Sequence, residues 1–305
     1  VAGLVQDVVR RHEGDPQAAA AAIAELGLEL IGIPEPHGSG GGAGDLAAAL
    51  SAVGRAGVGV PLLPRAVAAW VLTAAGRPGG TATVAFGGGE VVQAPWARGC
   101  DWLVLCPPGG PASVVALDQA AVTGRVDLAG DPLDRVDLRR LPTPEPLTGL
   151  TAGAVTERAA VLAAAQLSGL AEGTLDLTRR YVGQREQFGA PLVKLPAVAR
   201  GLAEMRVRVT EAAAGLEVGL AALDAPGEDP AAAAIAFAAA GTAATAVARI
   251  AHQLHGAIGV TAEYPLHRWT TRLWSGRDWP VAQAQWTDRL GQVRDEAAAW
   301  RMTGF

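Results

Sequence analysis

The chain contains no asparagine, and Lys194 is its only lysine, so its positive charge is carried almost entirely by arginine. Together with abundant alanine and glycine, this is the imprint of GC-rich coding, and the arginine excess by itself assigns no function. Cysteine is scarce. Cys100 and Cys106 lie close together in an apolar stretch, too few for a disulfide framework, and no segment reads as a signal peptide. Two buried, reduced thiols in a cytoplasmic protein are expected. Basic charge is not in excess either. The formal net charge is −5, which argues against nucleic acid as a partner, because a phosphate footprint needs a basic surface. Long apolar runs are missing. The longest, Ala231 to Ala240, falls well short of the roughly 18–20 residues of a membrane span, so none is expected. With 50% hydrophobic and 18% charged residues, the chain is not disordered, and 305 residues can bury a sizeable core as one large domain or two.

Some chemistry is excluded by spacing. His252, His255, His267 and Glu263 offer His-x-x-His with no third ligand at a regular interval, so no metal site is expected. No serine sits in a nucleophile-elbow context. Gly38 to Ala43 matches G-x-G-x-x-A and precedes a helical segment, and Leu28 to Ile33 is compatible with a strand before it. A dinucleotide fold would need a βαβ unit and an acidic residue about 20 positions on, and neither follows. The glycines read as a flexible loop.

Three zones differ in texture. Residues 1–78 read as a helical domain: Asp15 caps a helix opened by Pro16, a second runs from about Asp45 to Ala56, and a third from about Pro64 to Ala75, stopped by Gly76 and Pro78. Residues 79–150 read as a reduced β domain, with short strands at Ala82 to Phe86, Trp102 to Cys106 and Ser113 to Leu117 between Gly and Pro clusters. Residues 151–305 read as a bundle of four long helices, near 152–183, 195–223, 229–256 and 280–300. Breaks are expected at Gly189-Ala190-Pro191, Pro226-Gly227 and Gly256 to Gly259. The fold class is therefore mainly α with a small β domain.

Two stretches of the bundle carry possible binding chemistry. One is Arg185-Glu186-Gln187-Phe188-Gly189-Ala190-Pro191. The other is Gln253-Leu254-His255-Gly256-Ala257-Ile258-Gly259, followed by Glu263-Tyr264-Pro265. Each is a helix end running into a glycine turn. Such turns free backbone N–H groups and allow a ligand to approach closely. An arginine and glutamines there suit a phosphate group and a polar ring edge, and ordinary helix capping is the alternative.

These stretches resemble the two C-terminal motifs of the acyl-CoA dehydrogenase family, Arg-x-x-Phe-Gly and Gln-x-x-Gly-Gly-x-Gly with Glu-Tyr-Pro. Gly27 to Gly38 is similar to that family's N-terminal loop, and the α–β–α order matches. The resemblance implies a flavoprotein that desaturates an acyl-CoA thioester. A carboxylate takes the α-proton, the β-hydrogen leaves as hydride to FAD, and electrons pass to an electron-transfer flavoprotein. It also implies a homodimer or tetramer, with Arg185, Gln187 and Phe188 approaching the FAD of a neighbouring subunit and Gln253 and Gly256 also meeting FAD.

The chain departs from that family at the base. The usual Tyr-Glu-Gly segment is replaced by Arg272 to Pro280, where Asp278 is the only carboxylate. A minority branch places the base on the first bundle helix, near Glu157. Counted back from Gly169, Glu157 comes two residues early, a rotation of about 200°. The alternative for Glu157 is a first-turn residue complementing the helix dipole, with Thr156 as cap. The flavin loop and the Trp-Ile-Thr strand of the β domain are missing, with Gly87 to Glu90 in their place. Leu195-Pro196 replaces a glutamine after the first motif, and Ala257 replaces a glycine in the second. Two rival readings follow: a subunit without a base that completes the flavin site of a paralogue, and another flavin oxidation or hydroxylation on the same fold. Small residues along the bundle would leave room for a bulky or sterol-derived acyl group, or they reflect coding bias and close helix packing.

Overall fold

A computed structural model of the chain describes residues 1–12, 15–77, 79–225 and 229–295. The chain opens with four helices, α1 (Ala2–Arg11), α2 (Pro16–Glu25), α3 (Ala43–Ala56) and α4 (Leu62–Ala74). Asp15 caps α2, its carboxylate accepting from the Ala18 N–H at 3.0 Å, with Pro16 at the first helical position. Gly57, at φ 65°, ends α3 in the left-handed region that glycine adopts without a Cβ clash. Of the two breakers expected after α4, Gly76 ends the turn and Pro78 lies outside the described residues.

Leu28 to Ile33 is not a strand. Gly27 adopts φ 63° and Leu28–Leu30 closes into a 3-10 turn. The backbone then pairs locally, Gly32 N–H to Gly40 O and Gly40 N–H to Ile33 O, and the N–H groups from Leu30 to Ile33 are all used within this turn. The glycine loop is the far side of that local pairing.

Two sheets follow. In the larger, β1 (Ala82–Phe86), β3 (Trp102–Cys106), β4 (Pro111–Ala116) and β7 (Glu145–Thr151) lie in the order β1-β3-β4-β7, with only β1 and β3 parallel. In the smaller, β2 (Val91–Pro95), β6 (Leu133–Asp137) and β5 (Val122–Thr123) run antiparallel in the order β2-β6-β5. Side chains alternate along β1, β3 and β4. Ala85, Leu103, Leu105 and Val115 meet Val92, Ala94 and Val136 in a core of their own, while Val84, Val104, Cys106 and Val114 join the helical core. A strand buried on both faces reads as an unbroken apolar run, which is why β1 and β3 were legible. The strands β2, β6 and β7 were not. β6 carries Asp134, Arg135 and Asp137, and Asp134 is fully buried, held by Arg98 at 2.9 Å.

The bundle consists of α5 (Ala152–Gln184), α6 (Pro196–Leu223), α7 (Pro230–His255) and α9 (Gln283–Asp295), with the short α8 (His267–Gly276) inserted before the last. Thr151, not Thr156, caps α5, accepting from the Ala154 N–H at 2.9 Å. Thr156 sits a turn inside the helix, its hydroxyl donating to Ala152 O. The expected helix over 280–300 resolves into α9 after the Trp279-Pro280 turn, and residues past 295 lie outside the described residues, as does Pro226-Gly227. α7 extended to Val260 is long and apolar enough to cross a membrane, yet 67% of its apolar window is buried, so it is a core helix of the bundle.

α3 packs on α5 backbone to backbone. A Cβ on Gly169 would lie 2.0 Å from Ser51 O, and one on Gly54 would lie 2.3 Å from Gln166 O. Gly173 meets Arg55 O and Trp269 in the same way. This seam fixes the N-terminal helices to the longest helix of the chain. Gly169→Ala is expected to destabilise the protein by about 1–3 kcal/mol, because an overpacked backbone contact cannot relax into space. Gly291→Ala in α9, where the added Cβ meets nothing within 4 Å, is expected to be neutral or to stabilise by up to about 1 kcal/mol through helix propensity. Urea unfolding midpoints of the two variants check the contrast.

Candidate functional site

Two features stand apart, at opposite ends of α5. The first is a cleft of about 640 Å³ between the sheets and the bundle. One wall comes from the β domain, with Phe86, Gln93, Trp96 and the Asp127–Leu133 loop. The other comes from α5 up to Leu170 (Thr156, Ala163, Gln166, Leu170), from α8 and from the Asp278–Ala282 turn. Phe86 and Trp279 meet edge to face across it at 5.2 Å.

Three carboxylates line the cleft, and each already has a partner. Asp131 forms a two-bond pair with Arg272 at 2.7 and 2.9 Å. Burial raises the Asp131 carboxyl above its ordinary pKa, and Arg272 opposes that shift. Asp127 accepts from the N–H groups of Ala129 and Asp131 and shapes its own loop. Asp278 is exposed and lies 3.6 Å from the Arg277 guanidinium. Cys106 also reaches the cleft, but burial pushes its thiol up to about 12, so it stays protonated and inert. Cys100 and Cys106 are both free and buried.

Glu157 does not reach this cleft. It lines a separate cavity of about 160 Å³ with Trp70, Arg158, Leu223 and Asp229, on another face of α5 from Thr156. Arg158 stacks on Trp70 at 4.6 Å, and burial lowers its pKa.

The second feature is the far end of the bundle, where α5 and α7 both terminate. Tyr181 near the end of α5 stacks on His255 near the end of α7 at 4.4 Å, and its hydroxyl donates to His255 O. Tyr264 closes the cluster at 5.0 Å from His255. This packing brings the two sequence motifs together. After α5 the chain folds into a two-residue hairpin, β8 (Glu186–Gln187) with β9 (Ala190–Pro191). Phe188 at its tip adopts φ 54° and is 87% exposed. Left-handed backbone is unfavourable for a bulky residue, by about 1–2 kcal/mol, and among the described residues little packing repays it at this exposure. Arg185, Gln187 and Gln253 are exposed beside it, and Gly256, at φ 62°, faces open space.

The structure thus places Arg185, Gln187, Phe188, Gln253 and Gly256 at one end, Asp278 in the cleft and Glu157 in neither. Leu170, the last cleft residue of α5, and Arg185 are 15 positions apart, about 22 Å along a helix. The cleft residues Trp96 and Asp131 carried no sequence signal, and Arg272 and Trp279 were marked only as part of the altered base segment, since the cleft comes together only through the fold.

The comparisons with known proteins give the class, that of the acyl-CoA dehydrogenases. The family model "Acyl-CoA dehydrogenase, C-terminal domain" matches residues 151–277. Acyl-CoA dehydrogenase IpdE2 of Mycobacterium tuberculosis is 31% identical over 293 residues, covering 88% of each chain. Acyl-CoA dehydrogenase FadE34 of the same organism is 32% identical over 92% of this chain, which spans 44% of FadE34. Among solved structures, the Tcur3481-Tcur3483 steroid ACAD superposes with a TM-score of 0.83 at 24% identity, over 98% of this chain and 97% of that one. The ChsE4-ChsE5 complex from Mycobacterium tuberculosis gives 0.79 at 20% identity, over 97% and 96%. The chain belongs to the acyl-CoA dehydrogenase family.

Burial lowers the pKa of His255 from its ordinary 6.5 and acts the same way on His252. The unfolded chain therefore binds more protons than the folded one between the depressed value and about 6.5. Stability contributed by these groups is full above about pH 6.5 and falls as pH drops through the folded value. Urea midpoints at pH 7.5 and 5.5 should show this loss, and His255→Asn should flatten part of it.

Proposed function

We propose that this chain is an FAD-binding subunit of an acyl-CoA dehydrogenase, the complex oxidising an acyl-CoA thioester at Cα–Cβ and passing electrons to an electron-transfer flavoprotein. The observation that carries this is the motif end. A strained, exposed Phe188 sits beside exposed Arg185, Gln187 and Gln253 and the open backbone of Gly256. The donor set fits a dinucleotide: a guanidinium for the pyrophosphate, amides for polar edges and an aromatic ring for an apolar face. The cleft fits less well, because the family's flavin loop is replaced by the Gly87 to Glu90 turn. The flavin of this end therefore belongs to the cleft of a second chain, and Phe188 excludes water there.

FAD, when bound, supplies the hydride acceptor. Arg185 holds the pyrophosphate, Gln187 and Gln253 orient the cofactor, and Gly256 lets it approach the backbone. A general base must stand within hydrogen-bond reach of the substrate proton. The cleft carboxylates of this chain are engaged, so the second chain, a related acyl-CoA dehydrogenase subunit, supplies the base. The relation to ACAD structures described as complexes supports a hetero-oligomer. A second reading has one observation in its favour. Asp278 lines the cleft and is exposed, and it would serve as base in a homodimer. We place the protein in the cytoplasm, on its two free thiols.

The protein purified alone should show little visible flavin absorbance, and co-expression with a related neighbouring subunit should restore it. Arg185→Ala in that complex should weaken FAD binding about 10- to 100-fold, the loss of a charged hydrogen-bonding group. Asp278→Asn and Glu157→Gln should leave turnover of the complex within about twofold. A drop of about 10²–10⁴ in Asp278→Asn is what the homodimer reading requires.

A further inference from the structure

Arg272 and Asp131 are 141 residues apart in sequence and meet at the cleft. Arg272 lies on α8 and Asp131 on the loop between β5 and β6. Both are largely buried, at 16% and 24% exposure. The guanidinium donates through Nε and Nη2 to the two carboxylate oxygens, and through Nη1 to Arg268 O at 2.8 Å and to Gly57 O at 3.3 Å. Gly57 is the residue that ends α3. One side chain therefore ties the N-terminal helices, the β domain and the bundle together.

The pair is built in advance from both sides. Asp127 N–H donates to Asp131 O, and the Asp127 carboxylate accepts from the Asp131 N–H, so the loop presents Asp131 in one orientation. Gly59 leaves room for it, since a Cβ there would lie 2.0 Å from the Asp131 carboxylate. Four of the five guanidinium N–H bonds are used, so Arg272 has little left to offer a ligand. Both carboxylate oxygens of Asp131 are likewise occupied by charge-assisted bonds to the guanidinium.

We propose that the Asp131–Arg272 pair is a positioning device that fixes the width of the cleft by holding the β-domain wall against α8. This rests on the reading of the cleft as a ligand site. A buried pair of this kind is poor evidence for stability. Breaking one partner strands a buried charge, whereas neutralising both strands none. What the pair supplies is geometry, and that yields a specific signature.

The test is hydrogen exchange by mass spectrometry on the protein without flavin or acyl-CoA. The wild type is compared with Asp131→Asn, Gly59→Ala and the double variant Asp131→Asn with Arg272→Gln. The cleft edges, residues 57–60, 127–133 and 279–282, are read against strands β3 and β4. The double variant should regain most of the urea midpoint lost in Asp131→Asn, yet exchange at the cleft edges should stay at least about fivefold faster than in the wild type. Gly59→Ala should show the same local acceleration with both charges in place. Wild-type exchange at the cleft edges in Gly59→Ala and the double variant would overturn the proposal. So would equal acceleration in β3 and β4, which marks global loosening. Because no cofactor is present, this outcome is separable from whether the motif end binds FAD.

Discussion

Everything in this molecule is arranged along one stiff rod. α5 is 33 residues long, about 50 Å of continuous helix. Its stretch up to Leu170 forms a wall of the cleft, and its end carries the arginine-and-phenylalanine turn. A helix does not fold back on itself, so the two features of one chain cannot share a ligand the size of a single flavin ring. The rod is held in place by the glycine seam to α3, where the backbones touch, and that seam gives the abundant small residues a packing role beyond coding bias.

The chemistry divides along the same line. The distal end carries an exposed arginine, two exposed amides and an exposed ring. The cleft has shape, aromatic edges and carboxylates already engaged by Arg272, by the loop backbone or by Arg277. On the proposed function, this division suits the chain to completing a neighbour's site. The departure from the usual base segment, visible as Arg272 to Pro280, has a structural counterpart. Arg272 is spent on the Asp131 pair, and the following turn feeds Trp279 into the cleft.

The readable parts of the sequence were the local ones. α5, α6 and α7 followed from long segments between glycine and proline breaks, and Asp15-Pro16 from capping chemistry. β1 and β3 followed from short apolar runs. β6 was hidden because its charged residues are stabilised by partners elsewhere, as Asp134 is by Arg98. α8 was not read as a helix, and its second half falls in the stretch read as the altered base segment. Leu28 to Ile33, compatible with a strand in sequence, is a turn because Gly27 bends the chain before a strand can start. The two motifs at the bundle end were legible because each lies within a few consecutive residues. The cleft was not, because Asp131 and Arg272 meet only after three parts of the chain have docked.

Native mass spectrometry of the flavin-loaded protein, with and without a co-expressed related subunit, tests the division of labour along α5 most directly. FAD should be found only on assemblies of two or more chains, and dissociation to the monomer should release it. A monomer of this chain carrying one FAD would contradict the requirement for a second chain.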